Sequence, residues 1–122
     1  MNNFSSSEVN TLLSSKPFTE EPREQTCPSC GAQSARTYVY RSNRGSRPTL
    51  ITYTWCATCR KFKGWTGPDL GDLTFSDPLE NIAQSERETL THDLDRLFRF
   101  LDELWESGSL PQHFTRIASR RR

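Results

Sequence analysis

Two short stretches, Cys27-Pro28-Ser29-Cys30 and Cys56-Ala57-Thr58-Cys59, hold all four cysteines of the chain and decide its fold. A two-residue spacer lets both thiolates of a pair approach one metal ion from a single tight turn. Gly31 follows the first pair, where a residue that tolerates positive φ lets the chain turn away. Arg60 holds the matching position after the second pair, so we expect that turn to be less favourable. The spacing predicts one zinc ion held by Cys27, Cys30, Cys56 and Cys59 in a closed structural site.

Two other uses of the cysteine pairs remain open at the level of sequence. Two disulfides would require an oxidising compartment, but residues 1–5 have neither the basic start nor the apolar core of a signal peptide. A redox-active Cys-x-x-Cys is expected beside a βαβ pattern, which the sequence lacks. The metal site is therefore favoured. Because no targeting or lipidation signal is present, we expect a cytoplasmic protein whose thiols stay reduced.

Length and composition are those of a small domain whose core a metal ion would supplement. The chain has 122 residues, 33% of them hydrophobic, and a mean hydropathy of -0.76. A core of this modest size would gain usefully from a bound metal ion. No segment approaches the ~18 apolar residues of a membrane-spanning helix, so we expect a soluble protein.

The segment between the cysteine pairs has the composition of a β-hairpin. Residues 36–41 and 49–55 are dense in β-branched and aromatic side chains, and residues 42–48 have the composition of a turn. Residues 61–65 predict a third strand that ends before Gly67-Pro68. The hairpin would bring the second cysteine pair back to the first.

The order is a Cys-x-x-Cys turn, a hairpin and a second Cys-x-x-Cys turn; we call these turns, at residues 27–30 and 56–59, the first and second knuckle. This order resembles the zinc-ribbon fold group, in which two cysteine pairs and a small antiparallel sheet enclose one zinc ion. The resemblance covers residues 26–66 and implies that the four cysteines are the ligands. Between Cys30 and Cys56 lie 25 residues. That spacer is longer than the ~15–20 residues of the common pattern, and a lengthened hairpin accommodates the difference.

Capping signals predict short helices on both sides of the ribbon. Ser5 and Glu8 have the spacing of a capping box at the start of a helix that ends near Leu13. Asp77 and Pro78 predict the start of a second short helix that runs through Ile82.

A longer helix is predicted from about residue 86 to residue 107. Ser85 and Glu88 have capping-box spacing, and Gly108 is a natural stop. The apolar side chains recur at steps of three and four residues; they are Leu90, Leu94, Leu97, Phe98, Leu101, Leu104 and Trp105. We expect this stripe to pack on the sheet and form the core. The alternative is that part of it joins a second chain.

Together these patterns predict the α+β class, with a small antiparallel zinc ribbon followed by a long amphipathic helix and short flanking helices. The predicted organisation has four parts. They are an N-terminal lead-in at 1–25, the ribbon at 26–66, a helical region packed on it at 67–115 and a basic tail at 116–122.

Charge is distributed unevenly along the chain, although the formal net charge is only +1. Residues 23–63 carry a net charge of +7, residues 64–115 a net charge of -8, and the last seven residues a net charge of +4. Such asymmetry marks either partners of opposite charge or two halves that attract each other.

The first functional hypothesis is a protein-binding module. Asp95, Asp102 and Glu106 are spaced by seven and four residues, so on one helix they would form an exposed acidic row for a basic partner protein. A stoichiometric inhibitor of a cationic toxin or effector would have this pattern. The combination of a ribbon with an acidic helix is similar in style to small bacterial immunity proteins.

The alternative hypothesis is nucleic-acid binding by the ribbon. Its basic residues would contact phosphates while tyrosines or Trp65 stacked on bases. The candidates are Arg41, Arg44, Arg47, Lys61 and Lys63. The sequence contains no nucleophile elbow, phosphate loop or metal-hydrolase motif, so we expect no enzyme activity.

Overall fold

The computed structural model of the chain describes residues 2–14, 23–42, 48–71, 73–80 and 82–116. In chain order, the elements are α1 (Ser6–Ser14), β1 (Ala35–Ser42), β2 (Thr49–Cys56), β3 (Phe62–Pro68), β4 (Leu73–Phe75), α2 (Gln84–Thr91), α3 (Leu94–Ser107) and β5 (Phe114–Arg116). The predicted α+β class is confirmed. Two predicted features lie outside the described residues: the hairpin tip at 43–47, with Arg44 and Arg47, and the tail from 117 onward.

Strands β1, β2 and β3 form one antiparallel sheet in that order. The predicted hairpin and third strand are confirmed, with Ala35 opposite Cys56 and Tyr53 opposite Gly64. Strand β3 runs through Pro68 instead of ending before Gly67. An edge strand tolerates a proline at its end, because one side of that strand needs no hydrogen-bond donor for the sheet.

The N-terminal residues are attached to the open side of β3. Ser5 and Glu8 form the predicted capping box: the Ser5 amide donates to Glu8 Oε1 at 2.8 Å and the Glu8 amide donates to Ser5 Oγ at 3.2 Å. The amides of Phe4 and Phe62 donate to the carbonyls of Phe62 and Asn2, both at 3.0 Å. These two bonds hold α1 against the sheet beside the cysteines.

The prediction of one helix from residue 86 to residue 107 is wrong, because the helix is interrupted between the end of α2 and the start of α3. Asp93 takes φ -134° and ψ 87°, and its side chain accepts a hydrogen bond from the Arg96 amide at 3.3 Å. An aspartate that caps a new helix is favoured over one inside a continuous helix. Gly108 ends α3 with φ 90°, as predicted.

Two predicted helix starts are also corrected. Ala83 precedes α2 and makes no side-chain cap, so the capping box predicted at Ser85 does not form. Asp77 does cap the next residues, since its Oδ1 accepts from the Leu79 amide at 2.9 Å. Those residues form a turn at 78–80 instead of a helix.

The apolar stripe of α3 packs on the three-stranded sheet, as predicted. Leu97, Phe98 and Leu101 are fully buried. The Phe98 ring stacks on Trp55 with centroids 5.0 Å apart and an angle of 8° between the planes. Tyr53 meets the same ring edge-on at 5.7 Å. This aromatic contact fixes α3 over the middle of the sheet.

The segment after α3 folds back along the edge of β1. Leu110 is buried, and the Gln112 side chain is only 1% exposed. The Gln112 amide group donates to the Val39 carbonyl at 2.8 Å and accepts from the Val39 amide at 3.0 Å. The glutamine thus satisfies backbone groups at the sheet edge, as a neighbouring strand would.

Candidate metal centre

Both cysteine pairs form the same kind of turn. The Gly31 amide donates to the Cys27 carbonyl at 2.9 Å, and the Arg60 amide donates to the Cys56 carbonyl at 3.0 Å. Gly31 has φ 79° and Arg60 has φ 68°. Arg60 is therefore a non-glycine residue in the left-handed region, as its position directly after the second knuckle requires.

The four cysteine sulfurs converge on one point. Cys27 Sγ lies 3.7 Å from Cys59 Sγ, and Cys30 Sγ lies 3.6 Å from Cys56 Sγ. All four sulfurs lie within 4.8 Å of one another. Tetrahedral zinc with Zn–S bonds of about 2.3 Å requires sulfur separations of about 3.8 Å. The four cysteines are free and are positioned to bind one metal ion, so the disulfide alternative does not describe this structure.

Hydrogen-bond donors surround two of the sulfurs. The amides of Ser29 and Cys30 point at Cys27 Sγ at 3.4 and 3.5 Å. Cys56 Sγ receives the Thr58 amide at 3.3 Å and the Ser34 hydroxyl at 3.2 Å. Such donors orient thiolate ligands and stabilise their negative charge.

These environments shift the thiol pKa values in opposite directions. Burial raises the pKa of Cys27 to about 12. Burial also disfavours the Cys56 thiolate, but the Ser34 hydroxyl and the Cys59 and Thr58 amides outweigh it and lower the pKa to about 6. A divalent ion favours the deprotonated form of every ligand, so metal binding releases protons from these thiols.

The four cysteines differ in their exposure to solvent. Cys27 and Cys56 are buried, Cys59 is partly exposed and Cys30 is exposed. Phe4, Leu12 and Ala35 form a small apolar cluster with the buried cysteines. A four-cysteine cluster beside a three-stranded antiparallel sheet fits a zinc-ribbon-like arrangement.

Asp102 connects α3 to the ribbon through three hydrogen bonds. Its Oδ1 accepts from Arg36 Nη1 at 2.7 Å and from Trp55 Nε1 at 2.9 Å. Its Oδ2 accepts from Arg60 Nη1 at 2.8 Å. The carboxylate is thus shared by β1, β2 and the second knuckle.

The predicted exposed row of Asp95, Asp102 and Glu106 is therefore wrong at its centre. Asp102 is only 16% exposed, because the arginines of the ribbon attract it inward. Asp95 is half exposed and lies 2.8 Å from Arg99 and 3.6 Å from Arg60. Glu106 is exposed. A partner-binding role for Asp95 and Glu106 stays a prediction.

The described candidates for nucleic-acid binding are mostly engaged within the protein. Arg41 Nε lies 2.7 Å from Asp69 Oδ2, and its guanidinium stacks over the Phe75 ring at 4.6 Å. Lys61 Nζ lies 3.2 Å from Glu8. Lys63 is half buried on β3. Ion pairs with the protein's own acids reduce the charge available to phosphates.

The tyrosine rings proposed for base stacking belong to the core. Tyr38 and Tyr40 are buried, and Tyr53 packs over Gly64. The Tyr38 hydroxyl donates to Asp77 at 2.6 Å, and burial raises the pKa of Tyr38 far above its usual range. Only Trp65 of the proposed set keeps a partly exposed ring outside these contacts.

The contacts that join the ribbon to the helices have little or no signal in the sequence. Nothing in the sequence points to Ser34, because its place beside Cys56 depends on the pairing of β1 with β2. The Asp102 contacts do have a signal, namely the opposite charges of the two halves. That signal gives the sign of the attraction but does not say which acid is used.

A scan of the chain against protein-family models, and searches of curated proteins and of solved structures, find no match. Among the described residues, no helix has the length and apolar character of a membrane-crossing segment.

Proposed function

We propose that the chain is a non-catalytic protein-binding module built around one structural zinc ion. The ligand set supports zinc, since four thiolates at tetrahedral spacing are typical of structural zinc sites and leave no position for substrate or water. A reducing, cytoplasmic compartment keeps such thiols available to the metal.

One observation favours a protein partner over a nucleic acid. Most of the described basic and aromatic residues of the ribbon contact the protein's own acids and core, as Arg36, Arg41, Arg60 and Lys61 illustrate. Among the described residues, exposed acids outnumber exposed arginines by six to four: Glu80, Glu86, Asp93, Asp95, Glu103 and Glu106 against Arg23, Arg41, Arg96 and Arg99. A basic protein surface complements this excess, whereas phosphate is repelled.

The exposed side of α3 is the proposed contact face. Glu103 and Glu106 are exposed, and neither makes an ion pair with another described residue. Asp95 flanks them with half of its side chain exposed. A basic partner would meet these carboxylates without disturbing the buried leucines. Stoichiometric inhibition of a cationic protein, as in immunity proteins, is the role we propose for this contact.

Metal analysis and affinity capture test the two parts of the proposal. Protein purified without added zinc is expected to contain about one zinc per chain. For the partner, the immobilised protein is compared with a Glu103→Lys/Glu106→Lys variant in extracts of the source cells. A Glu80→Lys/Glu86→Lys variant changes the charge equally on other exposed sites.

The expected result is a basic protein that is captured by the parent and by the control but lost by the α3 variant. Equal capture by all three would contradict the proposed face. Binding of DNA or RNA at low salt that depends on Lys63 would contradict the choice of partner and support the nucleic-acid alternative.

A further inference from the structure

The residue after the second cysteine pair is unusual for its backbone conformation. Arg60 has φ 68°, in a region that a residue with a Cβ rarely occupies. The first knuckle places Gly31 at the matching position, and an added Cβ there would meet nothing within 4 Å. Glycine would suit the backbone at both positions. The arginine must therefore be useful through its side chain.

The side chain of Arg60 reaches helix α3. Its Nη1 donates to Asp102 at 2.8 Å, and its Nη2 lies 3.6 Å from Asp95 Oδ1. Asp102 is held at the same time by Arg36 and by the Trp55 indole. One residue thus joins the second metal-binding turn to a carboxylate that also contacts the centre of the sheet.

We propose that Arg60 is a positioning residue that couples metal binding to the docking of α3. Cys56 and Cys59 fix the turn when they bind the metal, and the turn holds the Arg60 backbone in the left-handed conformation. In that conformation the guanidinium reaches Asp102 and Asp95. The inference rests on the proposed metal binding and adds that the contact face of α3 is fully ordered only in the metal-loaded protein.

Coupling of this kind must be reciprocal. If bound metal stabilises the contact of Arg60 with α3, that contact raises metal affinity by the same factor. A change on α3, away from the thiolates, should therefore weaken metal binding through Arg60. A purely local role of Arg60 in the turn would not produce that effect.

The test is a double-mutant cycle read out as metal affinity by chelator competition. Asp102→Asn keeps the shape of the side chain and removes its charge. It is expected to lower zinc affinity about ten-fold in the parent protein and much less in an Arg60→Gly background. Arg60→Gly suits the turn, so that variant is expected to fold. Glu86→Gln, the same kind of change at an exposed residue of α2, is the control and should leave affinity unchanged.

A second measurement follows the coupling in the other direction. Exchange of backbone amide hydrogens is measured in α3 and in α2 before and after a chelator removes the metal. In the parent, the protection of α3 relative to α2 should fall on chelation; in Arg60→Gly it should already be low and change little. If chelation unfolds the whole chain, the affinity cycle decides.

Equal effects of Asp102→Asn in both backgrounds would overturn the inference. That outcome leaves the proposed metal site intact, provided that the parent protein contains zinc. A parent that binds no zinc would instead refute the proposed function itself.

Discussion

The two cysteine knuckles have the same backbone but different surroundings. In the first, Cys30 is exposed, and Gly31 would offer a side chain nothing to touch. In the second, Cys56 is fully buried and accepts several hydrogen bonds. The residues that follow it, Arg60 and Lys61, reach α3 and α1.

This difference shows that similar metal-binding turns can have unequal structural roles. The first knuckle supplies two ligands, packs Cys27 beside Phe4 and Leu12, and brings Ser29 within reach of Glu8. The second knuckle supplies two ligands and is joined by ion pairs to both α1 and α3. Changes in the second knuckle should therefore also loosen α3, whereas changes in the first should act mainly through the metal and α1.

The largest effect is expected for Cys56→Ser. The substitution removes a buried thiolate and leaves the donors around it with a neutral hydroxyl, so metal binding and folding should be lost together. We expect the free energy of unfolding to fall by about 4 kcal/mol or more. Zinc stoichiometry and the melting temperature measure the two effects. Cys30→Ser should also release the metal but should destabilise the fold less. Full zinc retention by Cys56→Ser would contradict the four-ligand site.

A smaller effect is expected for Asp102→Asn, which weakens three contacts of the second knuckle and the sheet with α3. The buried donors of Arg36, Trp55 and Arg60 would lose a charged acceptor, and the cost should be about 2 kcal/mol. Urea denaturation measures it. Asp95→Asn, at a half-exposed position whose ion pairs are screened by solvent, should cost much less. Equal costs for the two variants would show that Asp102 is not the main link.

The next two substitutions act at the matching positions of the two turns, Gly31 and Arg60. Gly31→Ala places a Cβ in the left-handed region with no compensating contact, at a cost of about 1 kcal/mol. Arg60→Gly relieves the same kind of strain but loses the ion pair, so its stability should stay within about 1 kcal/mol of the parent. Thermal denaturation of the metal-loaded proteins distinguishes the variants. A stabilised Arg60→Gly protein with unchanged α3 would show that the arginine side chain contributes nothing.

The smallest effect concerns α1, which contacts both knuckles through Glu8. The Ser5 amide, followed by Ser29 and Lys61, lowers the pKa of Glu8 to about 2, although partial burial opposes the shift. A lowered folded-state pKa means that this carboxylate stabilises the fold above its unfolded pKa, and that the contribution is lost as pH falls toward 2. NMR signals of Val9 and Leu12 should therefore report loosening of α1 between about pH 4.5 and 2. The same transition in Glu8→Gln would show that another group is responsible.

Much of the ribbon could be predicted from the sequence because its signals are local. The spacing of the cysteines fixes the ligand set, and β-branched composition marks the strands that bring the pairs together. The Ser5 and Glu8 capping box and the stop at Gly108 are also local, and the structure has both. The leucine period located the buried face of α3.

The remaining features could not be predicted, because several residues of similar propensity could have taken the same structural role. Whether Asp93 continues a helix or caps a new one is a small local difference that the packing of α2 and α3 decides. Asp95, Asp102 and Glu106 look alike in the sequence, yet Asp102 alone meets two arginines and an indole across the sheet.

The sequence by itself thus determined which four cysteines are positioned to bind a metal ion, the α+β class and the strands of the ribbon, because each follows from spacing or composition within a few residues. Only the tertiary structure decided which acid pairs with each basic residue. Pairing of Arg36, Arg41, Arg60 and Lys61 with acids of distant segments offsets part of the ribbon's positive charge within the protein. Electrostatic attraction between the halves favours such pairing, but the partner of each charge depends on distances that exist only after the chain has folded.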